Sequence, residues 1–112
     1  MFRKKISERA VEFILTRQNK ELKHLTSQKV AQNIGVNSVL LYLKFIIDLK
    51  ITLPVYISRQ KMHEAFCVLT EDKKKSINEL SGELGFATIE DFCVEFETYY
   101  AISPDRFKSI RN

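Results

Sequence analysis

Apolar residues recur along this chain at helical spacing, broken by capping and turn residues and not by strand-like alternation. Ile6, Ala10, Phe13 and Ile14 form one stripe of a helix over about 5 to 19. A second helix is expected from about 27 to 34, opened by Thr26 or Ser27, and a third from about 38 to 49, opened by Asn37. Short oxygen-bearing side chains satisfy the first free amides of a helix, which is why they mark its start. Pro54 suits the first turn of a long fourth helix reaching about Leu69, with Tyr56, Met62, Ala65, Phe66 and Leu69 available for packing. Ser76-Ile77-Asn78-Glu79 is a capping box for a fifth helix over 77 to 84. A sixth helix follows from about 89 to 99, and Ser103-Pro104 opens a seventh. The pattern predicts an all-α chain of seven helices.

The pattern also repeats. Ala31, Gly35 and Val36 recur fifty residues later as Ser81, Gly85 and Phe86, and Leu41, Phe45 and Tyr56 recur fifty-one later as Phe92, Phe96 and Phe107. In each copy a small residue stands four before a glycine, and a bulky apolar residue and a helix follow. The small residue lets two helices cross closely, and the glycine takes the left-handed conformation that ends the first helix. Leu41/Phe45 and Phe92/Phe96 then supply core anchors one turn apart on the following helix. A generic repeat of helical hairpins shares part of this grammar, but the recurring set is that of two helix-turn-helix units. The expected division is a first subdomain over 1 to 53, a linker helix over 54 to 69, and a second subdomain over 70 to 112. The stretch from Thr70 to Lys75 reads as a solvated loop, its lysine run serving solubility and not phosphate binding.

Composition narrows the classes. With 112 residues, 45% of them apolar and 29% charged, and with three Gly and two Pro, the chain can bury a core without disulfides or metal. The longest apolar stretch, Val39 to Ile47, is broken by Lys44 and falls short of the roughly 20 residues a membrane span needs. Met1-Phe2-Arg3-Lys4-Lys5 resembles the basic start of a signal peptide, but Glu8, Arg9 and Glu12 interrupt what would be its apolar part. Cys67 and Cys93 stand far apart and read as reduced, partly buried thiols, and His24 and His63 as isolated. No metal, cofactor, small-molecule ligand or membrane is therefore expected, and the location is cytoplasmic. Paired carboxylates, a nucleophile with a matching base and a glycine-rich phosphate loop do not occur, so an enzyme is not expected.

The +4 formal charge is unevenly spread. Residues 1 to 53 hold ten Lys/Arg against four Asp/Glu, a balance of +6, whereas residues 54 to 112 hold eight against ten, a balance of −2. A basic half is the footprint of phosphate binding, and it belongs to the first unit.

Gly85-Phe86, then Phe92 and Phe96, then Ala101-Ile102-Ser103-Pro104-Asp105-Arg106-Phe107-Lys108, resemble the C-terminal signature of AraC/XylS-type transcription regulators. In that family a Gly-Phe pair precedes the second recognition helix and a G-x-S-P-x-x-Tyr/Phe-Arg stretch closes the domain. Ala101 here stands for the glycine and Lys108 for the arginine. The first unit and linker fit through Ala31, Gly35, Leu41, Phe45, Tyr56, Lys61 (usually Arg), Ala65 and Leu69. The likeness spans about residues 5 to 108. It implies a homeodomain-like, tandem helix-turn-helix domain whose two recognition helices enter successive major-groove segments of double-stranded DNA, about 34 Å apart. Such domains are usually fused to a sensing or dimerising domain, so this chain is read as a stand-alone small regulator or an excised piece.

Transferred position by position, the resemblance turns Val39, Tyr42 and Leu43 of the third helix toward the groove and puts Ile46 where a phosphate-binding lysine is usual. A one-residue shift of register would turn Lys44 outward. On the sixth helix, Ile89, Glu90, Cys93 and Val94 take the groove positions and Glu97 replaces a lysine. With Asp91 and Glu95 that helix carries four acids, which would repel phosphates. The candidate DNA-binding residues therefore lie in the first unit: Ser27, Gln28 and Lys29, then Asn37, Ser38, Val39, Tyr42, Leu43 and Lys44, and Lys50. The expected function is a transcription regulator that binds DNA mainly through its first helix-turn-helix, at the bacterial nucleoid. The alternative is a module of the same fold that uses the third or sixth helix to bind a protein partner, such as a related regulator or RNA polymerase.

Overall fold

The computed structural model of the chain describes residues 4–17, 19–72 and 74–111, so the start Met1-Phe2-Arg3 and Lys73 of the lysine run lie outside the described residues. The helices are α1 (Ile6–Leu15), α2 (Asn19–Leu22), α3 (Ser27–Ile34), α4 (Ser38–Leu49), α5 (Leu53–Glu71), α6 (Ile77–Glu83), α7 (Ile89–Tyr100) and α8 (Pro104–Arg111). The seven expected helices are present, joined by the single turn α2, and no strand occurs among the described residues.

The first helix ends earlier than its apolar stripe suggested, at Leu15 and not near 19. Past Leu15, itself exposed, the sequence is polar, the Thr16 hydroxyl bonds back to the Phe13 carbonyl, and the Arg17 amide closes a tight turn on Ile14. With no apolar face left to bury, nothing rewards further turns. Leu22 and Leu25, assigned to no helix from the pattern, anchor this connection in the core.

The chain divides into two compact units, Met1–Gln60 and Lys61–Asn112. In the first, Ala10, Ile14, Val30, Leu41, Phe45, Leu53 and Ile57 are buried together. Ser7, itself buried, donates to an Asp48 carboxylate oxygen at 2.6 Å and ties α1 to the end of α4. In the second, Met62, Ala65, Leu69, Leu80, Leu84, Phe92 and Phe96 form the core. Helix α5 thus gives Leu53 and Ile57 to one core and Met62, Ala65 and Leu69 to the other.

The repeat is visible in the hydrogen bonds. Gly35 and Gly85 both have positive φ, 74° and 86°. The Val36 amide reaches back to the Ala31 carbonyl at 3.0 Å, and the Phe86 amide to that of Ser81 at 3.1 Å. These are Schellman closures on equivalent atoms, and α3 and α4 cross at 102°, as a helix-turn-helix requires. The caps match too. Thr26, not Ser27, caps α3 by accepting from the Lys29 amide, and Ser76 caps α6 by accepting from the Glu79 amide. Asn37 caps α4 and Thr88 caps α7. The step from fifty to fifty-one residues falls between Phe86 and Thr88, so the extra residue, Ala87, sits in the turn, where it shifts neither helix.

Candidate nucleic-acid interface

Among the surfaces that the first core leaves outside are the outer face of α4 and the start of α3. Leu41 and Phe45 point inward and are fully buried, which turns the rest of α4 outward. Val39, Tyr42 and Leu43 stand exposed, as do Lys44 and Lys50, and Ile46 is half-buried. Gln28, Lys29, Asn37 and Ser38 are exposed and Ser27 is half-buried. The fold therefore brings the residues singled out in the first unit to the starts of α3 and α4 and the exposed side of α4, except Lys50, which lies at the far end of α4.

Two of them already have local work. The Asn37 side-chain oxygen accepts from the Val39 amide at 2.8 Å and from that of Leu40 at 3.2 Å. That leaves its NH2 group as the part open to an outside acceptor. Lys50 ends α4 in the left-handed region, φ 64°, with its amide on the Ile46 carbonyl. Its side chain, with those of Lys29 and Lys44, forms no ion pair with any described residue. Three other cations of this unit are engaged: Lys4 pairs with Glu12, Arg9 donates to the Ile34 carbonyl, and Arg17 lies over the Phe13 ring, 4.3 Å from its centroid.

The outward face is more apolar than the groove positions alone suggested. Leu40, Ile47 and Leu49 are exposed beside Val39, Tyr42 and Leu43. Their signal lay partly in the helical period: once Leu41 and Phe45 are fixed inward, Val39, Leu40, Leu43 and Ile47 fall on the outer half of the helix and Tyr42 at its edge, whereas Leu49, one turn after Phe45, is exposed at the helix end.

In the second unit the equivalent face differs. Glu90, Asp91, Val94 and Glu97 are exposed, whereas Ile89 and Cys93 pack partly against the second core. Burial pushes the Cys93 thiol above its ordinary range, and Asp105, Glu90 and Glu97 add to the shift. Burial also raises Cys67, helped by Glu64 and Glu71. His63, read from the sequence as isolated, stands one helical turn away with its Nε2 3.7 Å from the Cys67 sulfur. Among the described residues no group of three or more His, Cys, Asp or Glu could hold a metal ion. The lysine stretch is only partly solvated. Lys75 is half-buried and pairs with Glu83 at 2.6 Å, and its carbonyl accepts from the Lys108 ammonium. Among the described residues no single helix is long and apolar enough to cross a membrane.

This architecture is the fold of AraC-type DNA-binding domains. The chain is similar to the C-terminal domain of AraT, a response regulator from Geobacillus stearothermophilus, with 23% identity over 96% of this chain and 87% of that one, at a TM-score of 0.82. It is similar to a transcriptional regulator containing an AraC-type DNA-binding domain from Chromobacterium violaceum, with 20% identity over 95% and 91% of the two chains and a TM-score of 0.81. A DNA-binding transcriptional dual regulator from Escherichia coli K-12 matches at 16% identity over 99% and 96%, with a TM-score of 0.80. No family sequence model and no curated protein sequence matches the chain.

Proposed function

We propose that this chain is a DNA-binding transcription regulator of the AraC type that engages duplex DNA mainly through its first helix-turn-helix. The observation that carries this reading is the contrast between the two outward helices. Around α4 the cations Lys29, Lys44 and Lys50 are exposed and unpaired with any described residue, whereas α7 presents Glu90, Asp91 and Glu97. Phosphate neutralisation supplies most non-specific affinity, so the unit with free cations binds and the unit with acids is repelled. In this reading residues 1–53 are the DNA-reading subdomain, 54–69 the linker and 70–112 a supporting subdomain. Gln28 and Lys29, with the Asn37 NH2 group and Ser38, hold phosphates at the starts of α3 and α4. Val39 and Leu43 meet thymine methyl groups, and the Tyr42 hydroxyl is the polar reader of base edges. The site of action is the bacterial nucleoid.

The test is a fluorescence-anisotropy titration of random-sequence and upstream duplexes at about 50 and 200 mM salt. Three cation–phosphate contacts, from Lys29, Lys44 and Lys50, predict a loss of affinity of between about 10- and 100-fold across that interval. Absence of binding at the lower salt concentration would sink the proposal.

A further inference from the structure

His63 and Cys67 stand four residues apart in the sequence, and α5 sets them on one face, with the His63 Nε2 3.7 Å from the Cys67 Sγ. His63 is exposed and Cys67 half-buried, so solvent reaches the pair. We propose that the two side chains form a binding site for a divalent cation of the Zn2+ type, one that takes nitrogen and sulfur donors in a tetrahedron. Nothing in this site depends on DNA binding.

The separation of the two atoms fits the ion. Zn2+ takes sulfur at about 2.3 Å and imidazole nitrogen at about 2.0 Å, and a tetrahedral angle then puts the donors about 3.6 Å apart. The pair already stands within about 0.1 Å of that separation, with no movement of the backbone. His63-Glu64-Ala65-Phe66-Cys67 also has the spacing by which one helix face offers two ligands to a zinc ion, with a cysteine in place of a second histidine. Mg2+ and Ca2+ prefer oxygen and do not suit these donors. On binding, the thiol proton passes to the buffer, the sulfur and the imidazole each give a lone pair, and the ion sheds two waters.

Local charge favours a cation. The charged groups that raise the Cys67 thiol are both acids, Glu64 and Glu71. Glu71 is exposed, stands one turn beyond Cys67 on the same stripe and forms no ion pair with any described residue. As the side chains stand, the pair converges without a third donor. Rotation of Glu71 supplies a carboxylate oxygen, and water fills the fourth position. Cys93 is the internal control. It too is half-buried with acids nearby, but Ile89 holds the place one turn before it that His63 holds before Cys67.

The test uses Co2+, which occupies zinc sites and absorbs where Zn2+ does not, titrated into the reduced, untagged full chain and followed by Zn2+. A near-ultraviolet thiolate-to-cobalt band and visible bands of tetrahedral strength are expected, saturating at one ion per chain and lost on adding Zn2+. The expected Kd is on the order of 10 μM, as about half the donor set of a structural zinc site would give. Cys67→Ser should abolish the bands, His63→Ala should weaken binding about tenfold or more, and Cys93→Ser should leave it unchanged. Glu71→Gln should weaken it a few-fold. His63 and Glu71 are exposed, so the metal-free melts of their variants should match the wild type. In a second readout, Zn2+ should slow iodoacetamide labelling of Cys67 and not of Cys93. Absence of the bands up to about 1 mM Co2+ overturns the site. So do bands that survive Cys67→Ser, binding indifferent to His63→Ala, or equal protection of both thiols, each the mark of an adventitious thiol contact. Indifference to Glu71→Gln removes Glu71 as third donor while the pair stands.

Discussion

The two units use one backbone plan and fill it with different chemistry. Their turns close on equivalent atoms, and Leu41 and Phe45 are buried as completely as Phe92 and Phe96. Inside, the first unit is mainly aliphatic, with one edge-on ring pair, Phe45 and Tyr56, 5.4 Å apart. The second repeats that pair as Phe96 and Phe107 at 6.0 Å and extends it into a linked set with Phe66, Phe86, Phe92 and Tyr100. Outside, the first unit is apolar and basic and the second acidic. Core positions thus preserve the fold in both units, while the outward positions of α4 and α7, free of packing duties, have diverged in opposite directions.

The largest effects should come from the cores. Phe45→Ala and Phe96→Ala are each expected to cost about 3–5 kcal/mol in urea unfolding, with Phe96 at the upper end because its ring touches three others. A smaller loss at Phe96 than at Phe45 would remove the ring cluster as a source of stability. Next come the outward faces. At about 50 mM salt, Lys29→Glu or Lys44→Glu should weaken DNA binding roughly tenfold each, whereas Glu97→Lys should strengthen it, since a phosphate contact at that salt is worth about tenfold. Equal weakening by charge reversals on α7 would break the contrast.

Smaller again are the backbone terms. A Cβ at Gly35 would meet nothing within 4 Å, so Gly35→Ala should cost only the left-handed penalty, about 1 kcal/mol. Conversely Lys50 and Ala101, fifty-one residues apart, end α4 and α7 at φ 64° and 59° without being glycine. Lys50→Gly and Ala101→Gly should each raise stability by up to about 1 kcal/mol in thermal melts. The smallest effect concerns the thiols, both in the second unit. Each folded-state pKa is raised, so above the ordinary value of about 8.5 the unfolded chain loses thiol protons that the folded chain keeps. Stability from these groups therefore declines as pH rises through that range. Iodoacetamide at about pH 8.5 should label Cys67 and Cys93 a few-fold more slowly in the folded chain than in urea.

The fold was largely legible because it depends on residues with a single physical role. Gly35 and Gly85 need the left-handed region, Thr26, Asn37 and Ser76 satisfy helix amides, and Leu41, Phe45, Phe92 and Phe96 keep strict spacing. The end of α1 was not legible, because its apolar stripe stops at Ile14 and only local bonds to Phe13 and Ile14 decide where the helix yields. Nor was the pairing of His63 with Cys67, since spacing along the chain gives no sulfur-to-nitrogen distance. On α4, groove positions taken from the resemblance picked out Val39, Tyr42 and Leu43. The wider apolar face, with Leu40 and Ile47, emerged only once the inward anchors fixed the rotation of the helix.

The most direct test of the division between the units is a titration of the uniformly 15N-labelled chain with duplex DNA, followed by amide chemical shifts. The predicted result is that changes concentrate at Lys29, Ser38, Tyr42, Leu43, Lys44 and Lys50 while Glu90 to Glu97 remain still. Comparable shifts along α7 would contradict it.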